Sequence, residues 1–221
     1  MSCWEIRIAT LIGAIVVGLT PPTTTAAEQP GLAIATLETL AVKGRAPKTG
    51  YSRDQFGQAW ADVNRNGCDT RNDILKRDLT AIIYKAGTRN CVVASGTLLD
   101  RYSGESINFV RGNVTSMEVQ IDHVVALSNA WQTGAFKLTA DQRKALANDP
   151  MNLFAVKGRL NSQKGDGDAA TWLPPLKSFR CAYVAQQIAV KAKYSLWVVP
   201  PEKAAMVSIL AKCPTQKLPV S

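Results

Sequence analysis

The order of apolar and polar positions separates a short leader from a longer mixed body. Ile8 to Leu19 is an apolar run interrupted only by Thr10, Gly13 and Gly18, too short to span a bilayer comfortably. Pro21, Pro22 and a threonine cluster follow, and then Thr25-Ala26-Ala27, whose small residues suit signal peptidase cleavage before Glu28. Residues 1–27 are therefore expected to be a removed signal peptide, leaving no stable membrane insertion and a secreted or envelope-associated product. No later segment approaches membrane length.

The body alternates short helical and strand patterns. Residues 28–50 read as a tether with a short helix, Leu32 to Val42, ended near Gly44. Ser52 is placed to cap a helix in which Phe56, Ala59, Trp60 and Val63 recur at helical spacing, and a second helix is expected around Ile74 to Leu79. Cys91–Ala94, Gly96–Leu99 and Ile107–Val110 read as strands, with a turn at Ser103-Gly104, and Val119 to Val125 is a further β-branched run. Thr139 caps Asp141–Ala147, Asn152–Val156 is a short strand, and Asn161 opens a polar, helix-compatible stretch that stops at Pro174-Pro175. Two C-terminal helices, Phe179–Tyr194 and Glu202–Cys213, complete an α+β pattern in one domain, residues 51–221.

Cysteines and charge sharpen this picture. Cys3 leaves with the leader, and Cys68, Cys91, Cys181 and Cys213 remain as an even set suited to an oxidising compartment. Of three possible pairings, Cys68–Cys91 and Cys181–Cys213 close local loops and are expected. No C-x2-C spacing favours a zinc knuckle. The chain carries 26 Lys and Arg against 17 Asp and Glu, a net +9. A basic exported protein is predisposed to polyanions such as nucleic acid.

His123 is the only histidine, which excludes multi-histidine zinc sites and H-E-x-x-H proteases. No G-x-S-x-G elbow supports a serine hydrolase. The imidazole sits in Ile121-Asp122-His123-Val124-Val125, a strand in which neighbouring side chains diverge. Such divergence suits a carboxylate that holds a cation on one side and a base that approaches water on the other.

Three segments, Asp122-His123-Val124-Val125-Ala126-Leu127, Asp149-Pro150-Met151-Asn152-Leu153 and Asn161-Ser162-Gln163-Lys164-Gly165-Asp166, in this order and spacing resemble the HNH endonucleases. The likeness is to the small secreted bacterial branch related to the C-terminal nuclease domain of modification-dependent restriction enzymes. It extends from about Lys43 to Cys213 and includes Asn66-Gly67-Cys68-Asp69-Thr70-Arg71-Asn72-Asp73. The resemblance implies a ββα-metal finger embedded in a mostly helical, disulfide-stapled domain that hydrolyses DNA and, on a second expectation, RNA. It implies that His123 is the general base, that Asn152 orders the loop and the base, and that Asp122 and Asn161 hold one divalent cation. Asn161 stands where many members have histidine. One carboxylate and one amide oxygen are hard donors that suit Mg2+ or Mn2+. A free imidazole would make activity rise through a pKa near neutrality.

Other residues have competing readings. Lys164 is a candidate for substrate phosphate or an ordinary solvated lysine, and Arg71 a phosphate contact or a salt bridge with Asp69 or Asp73. Asp166 and Asp168 could support the metal or form a turn. Asp62-x-Asn64-x-Asn66-Gly67 with Asp73 in twelfth place matches most of a Ca2+ loop, but Asp replaces the usual Glu and Cys68 interrupts it. A disulfide-pinned turn is the expected structure there. Trp60, Trp131, Trp172 and Trp197 are expected in the core. The functional alternatives are a metal-independent secreted ribonuclease using a His–Glu pair, for which Glu105 and Glu118 lie nearest in sequence, and an exported polyanion-binding protein without turnover.

Overall fold

The computed structural model describes residues 31–112 and 115–220, together with Met1. The expected signal peptide and residues 28–30 of the tether lie outside the described residues, apart from Met1. Two small antiparallel sheets are set among helices. Strands β1 (Leu79–Tyr84), β2 (Val93–Leu99) and β3 (Ser106–Val110) form one sheet in that order, and β4 (Val119–His123) pairs with β5 (Leu153–Lys157) in the other. Helices α1 (Ala33–Thr39), α2 (Thr70–Asp78), α3 (Leu127–Gln132), α4 (Ala140–Asn148), α5 (Gly158–Lys164), α6 (Arg180–Lys193) and α7 (Pro200–Leu210) complete the α+β domain.

The β4–β5 hairpin pairs His123 with Leu153, Asp122 with Phe154 and Ile121 with Ala155, and α5 continues directly from β5. The apolar residues of this hairpin divide between two clusters. Val119, Ile121, Leu153 and Ala155 pack with α2 and the first sheet, whereas Phe154 and Val156 pack with Tyr102, Leu160 and Tyr183. Burial on both faces holds the hairpin, while the end of β4, Ile121 to His123, borders a cavity.

Several expected boundaries change. The helix expected from Ser52 is a single 3-10 turn, Arg53–Phe56, because Gly57 (φ +73°) and Trp60 (φ +56°) take left-handed conformations. Of that apolar stripe only Phe56 enters the core fully, and Val63 is exposed. The sequence pattern predicts helix through Leu79, but Leu79 opens strand β1. The helix stops at Asp78, whose carboxylate accepts from Arg77, Arg101 and the Ala155 amide. The two strands expected around Ser95 are one, β2. Gly96 does not break it, but allows Leu79 to approach so closely that a Cβ would lie 2.9 Å from its Cδ2.

The run through Val125 ends as strand at His123, where Val124 N–H donates to the Asn152 carbonyl, and Leu127 opens α3. Helix α5 begins at Gly158, three residues before the expected start, so Asn161 is inside the helix and does not cap it. Helix α4 has the expected Thr139 cap, in a box with Gln142. The expected disulfides Cys68–Cys91 and Cys181–Cys213 are present. The second fastens α6 to the turn that follows α7, and Trp131 and Trp197 are buried while Trp60 and Trp172 are half-buried.

Candidate functional site

His123 closes β4, and its ring lies against Trp60, with centroids 6.1 Å apart and planes within 17°. Its Nε2 is 2.9 Å from the Ala147 carbonyl. A carbonyl only accepts, so Nε2 carries the hydrogen and Nδ1 keeps its lone pair. Burial disfavours the imidazolium, and the positive charges of Arg53 and Lys164 add to that effect, so the pKa falls to about 4 despite the opposing Ala147 bond. The expected pKa near neutrality is therefore corrected downward, because this ring is desolvated.

Asp122 points away from His123, as strand alternation requires. Its buried carboxylate accepts from the Tyr102 hydroxyl at 2.6 Å and the Lys164 ammonium at 3.0 Å. Burial raises its pKa, and Lys164 and Tyr102 oppose that rise. Tyr102 comes from a turn pinned by Asp100, which accepts from the Ser103 amide and hydroxyl. Lys164 Nζ also donates to the His123 carbonyl at 2.8 Å. Its side chain is 0% exposed, so it is neither the solvated lysine nor the phosphate contact anticipated. It is the internal counter-charge of Asp122.

Asn152 is fully buried. Its Oδ1 accepts from Val125 N–H at 2.8 Å, and its amide nitrogen donates to Val125 and Leu146 carbonyls. These bonds tie the segment after His123 to the end of α4. Asn161 donates from Nδ2 to Gln120 Oε1 at 2.8 Å, which directs Oδ1 to the other side of the amide. Asp122, His123 and Asn161 then line one cavity of about 110 Å³ with Arg53 and Leu127. His123 and Arg53 also border a second cavity, about 100 Å³, walled by Phe56, Trp60 and Ala147.

Arg71 lines neither cavity. No ion pair joins it to Asp69 or Asp73 among the described residues, and its Nη1 is buried without a hydrogen-bond partner. Asp166 accepts from Lys48 and Ser128, and Asp168 pairs with Arg45 and holds the Ala170 amide. Both thus fasten the loop after α5 to residues 45–48. In the loop before α2, Asp62 accepts from the Asn66 and Gly67 amides, and Asn66 donates to Asp73. Among the described residues there is no group of three or more His, Cys, Asp or Glu able to hold a metal ion.

Sequence reasoning missed Arg53, Tyr102 and Gln120. Arg53 and Tyr102 reach the site from segments outside β4, whereas Gln120 lies on β4 itself, and none of the three carries a local motif.

Residues 69–209 match the family described as GmrSD restriction endonucleases, C-terminal domain. The match contains Asp122, His123, Asn152, Asn161 and Lys164 and leaves out Arg53. Over 208 residues the chain is 36% identical to an "Uncharacterized secreted protein" of Arthroderma benhamiae (strain ATCC MYA-4681 / CBS 112371). That alignment covers 92% of this chain and 97% of the relative. The relative's description agrees with the expected export. It is fungal, so the bacterial branch named from the sequence was too narrow. No solved structure matches.

Proposed function

Because this chain belongs to the family of GmrSD restriction endonuclease C-terminal domains, we propose that it is a secreted, metal-dependent endonuclease of the HNH type that hydrolyses DNA. The observation that carries the reading is the convergence of Asp122, His123 and Asn161 on one cavity, with the proton of His123 fixed on Nε2 by Ala147. The β4–β5–α5 unit supports a ββα finger, and no described helix is long and apolar enough to cross a membrane.

The donor set fits a hard divalent cation. Asp122 supplies a carboxylate, and Asn161 an amide oxygen whose nitrogen is committed to Gln120. Bound there, Mg2+ or Mn2+ would offset the charge that develops on the phosphate and on the leaving oxygen. His123 acts as the base: Nδ1 takes a proton from water as the water oxygen bonds to phosphorus. The P–O3′ bond breaks with its electron pair on O3′, which is then protonated by solvent. Lys164 and Tyr102 hold the Asp122 carboxylate in place, and Asn152 fixes the backbone that follows the base.

The test incubates disulfide-intact protein with supercoiled plasmid and with RNA, in Mg2+, Mn2+, Ca2+ or EDTA. Cleavage of DNA with Mg2+ or Mn2+, abolished by EDTA and reduced ~10²- to 10⁴-fold by His123→Ala, is the expected result. Undiminished cleavage in EDTA refutes the metal-dependent reading, and turnover by His123→Ala at the wild-type rate refutes the base.

A further inference from the structure

The two cavities that flank His123 share one cation, Arg53. It is the only Lys or Arg lining either cavity, and among the described residues its side chain makes no ion pair or hydrogen bond. The cations that the sequence offered for phosphate are placed elsewhere, since Lys164 is enclosed against Asp122 and Arg71 stands outside both cavities.

We propose that Arg53 is the phosphate anchor of this site, its guanidinium gripping the non-bridging oxygens of a phosphodiester at the edge common to both cavities. A guanidinium presents paired N–H donors that match two phosphate oxygens at once. The backbone that carries it is fastened. Phe56, in the same 3-10 turn, is buried in the cluster of Val125, Leu127 and Leu146, and the Gln55 carbonyl accepts from Arg143 Nε at 2.7 Å. The Arg53 side chain nevertheless remains exposed. A fixed backbone with a free charged tip lets the anchor meet an incoming phosphate without first breaking an internal ion pair. A phosphate held there lies beside Asp122, His123 and Asn161, while the chain on its other side passes the cavity walled by Trp60.

The substrate class rests on the nuclease reading above, whereas capture of a phosphate is measurable without turnover. The single histidine makes that measurement local, because one imidazole NMR signal reports on this site alone. Inorganic phosphate, and separately thymidine 5′-monophosphate, would be titrated in EDTA into the full oxidised chain as wild type, Arg53→Met and Arg53→Lys. The expected result is a saturable shift of the His123 signal in wild type, a weakened one in Arg53→Lys and none in Arg53→Met, with unchanged thermal melting. DNA cleavage by Arg53→Met should fall ~10²- to 10³-fold, as when one preorganised oxyanion donor is lost. A wild-type response in Arg53→Met overturns the anchor, as does the absence of any response in wild type. If phosphate is captured through Arg53 but neither DNA nor RNA is cut under any metal, the anchor stands and the nuclease reading falls. If Arg53→Met cuts DNA at the wild-type rate, the anchor falls and the nuclease reading stands.

Discussion

The burial of His123 makes a quantitative prediction about acid. In the folded chain its pKa is about 4, against an ordinary 6.5, because desolvation and the charges of Arg53 and Lys164 disfavour the imidazolium. The unfolded chain therefore binds the proton first as pH falls. Stability from this group is fully present above pH 6.5 and is lost progressively from there down through about 4. With ~1.4 kcal/mol per pH unit, the loss is roughly 3 kcal/mol. The assay pairs NMR titration of the single imidazole in EDTA with urea melts of wild type and His123→Gln from pH 7.5 to pH 4. Subtracting the variant removes the contribution of carboxylates such as Asp122, whose pKa burial raises. The wild-type advantage should shrink by roughly 3 kcal/mol across that window. If His123 is the base, as proposed, its low pKa keeps it neutral well below neutrality, so cleavage should not drop as pH passes through 6.5. An imidazole that titrates within half a unit of 6.5 in the folded protein would refute the reasoning, because it would mean that water reaches the ring.

Three further outcomes follow from packing and electrostatics. Lys164→Met leaves Asp122 buried without its counter-charge and should cost about 3–5 kcal/mol in urea melts. The salt dependence of DNA binding should stay as in wild type, since Lys164 meets no phosphate; a shallower salt slope would contradict this. Gly158→Ala would drive a Cβ to 1.9 Å from the Met117 carbonyl oxygen, so it should destabilise by at least ~1–3 kcal/mol, and unchanged thermal melting would show that this junction yields freely. Removing either disulfide by paired Cys→Ser substitution should cost about 3–4 kcal/mol, given closed loops of 23 and 32 residues, and chemical denaturation that finds no loss would reject that role.

Much of the scaffold was legible because it is local. Thr139 and Gln142 cap α4 through neighbouring amides, the β-branched run around Ile121 forms a strand, and each cysteine pair closes a short loop. The order of Asp122, His123, Asn152 and Asn161 likewise sufficed to nominate a site, and the expected helix pair at the C-terminus needed only an apolar stripe and a Pro-Pro start. Local pattern failed where distant groups decide. The stripe from Phe56 to Val63 has helical spacing but is interrupted by residues held in left-handed conformations, and β1 continues from a helix with no breaker between them. The start of α5 depends on how closely Gly158 meets Met117 across the chain. What Lys164 does was undecidable from its neighbours, since its partners, Asp122 and the His123 carbonyl, arrive from another element. Arg53 is the clearest case: as a sequence it is one basic residue among 26, and only the folding of its turn against α4 brings that charge to the edge of the His123 cavities. The sequence determined the chemistry available; which groups are buried together, and which cation stays free, was decided by tertiary packing, because desolvation and pairing are properties of neighbours in space.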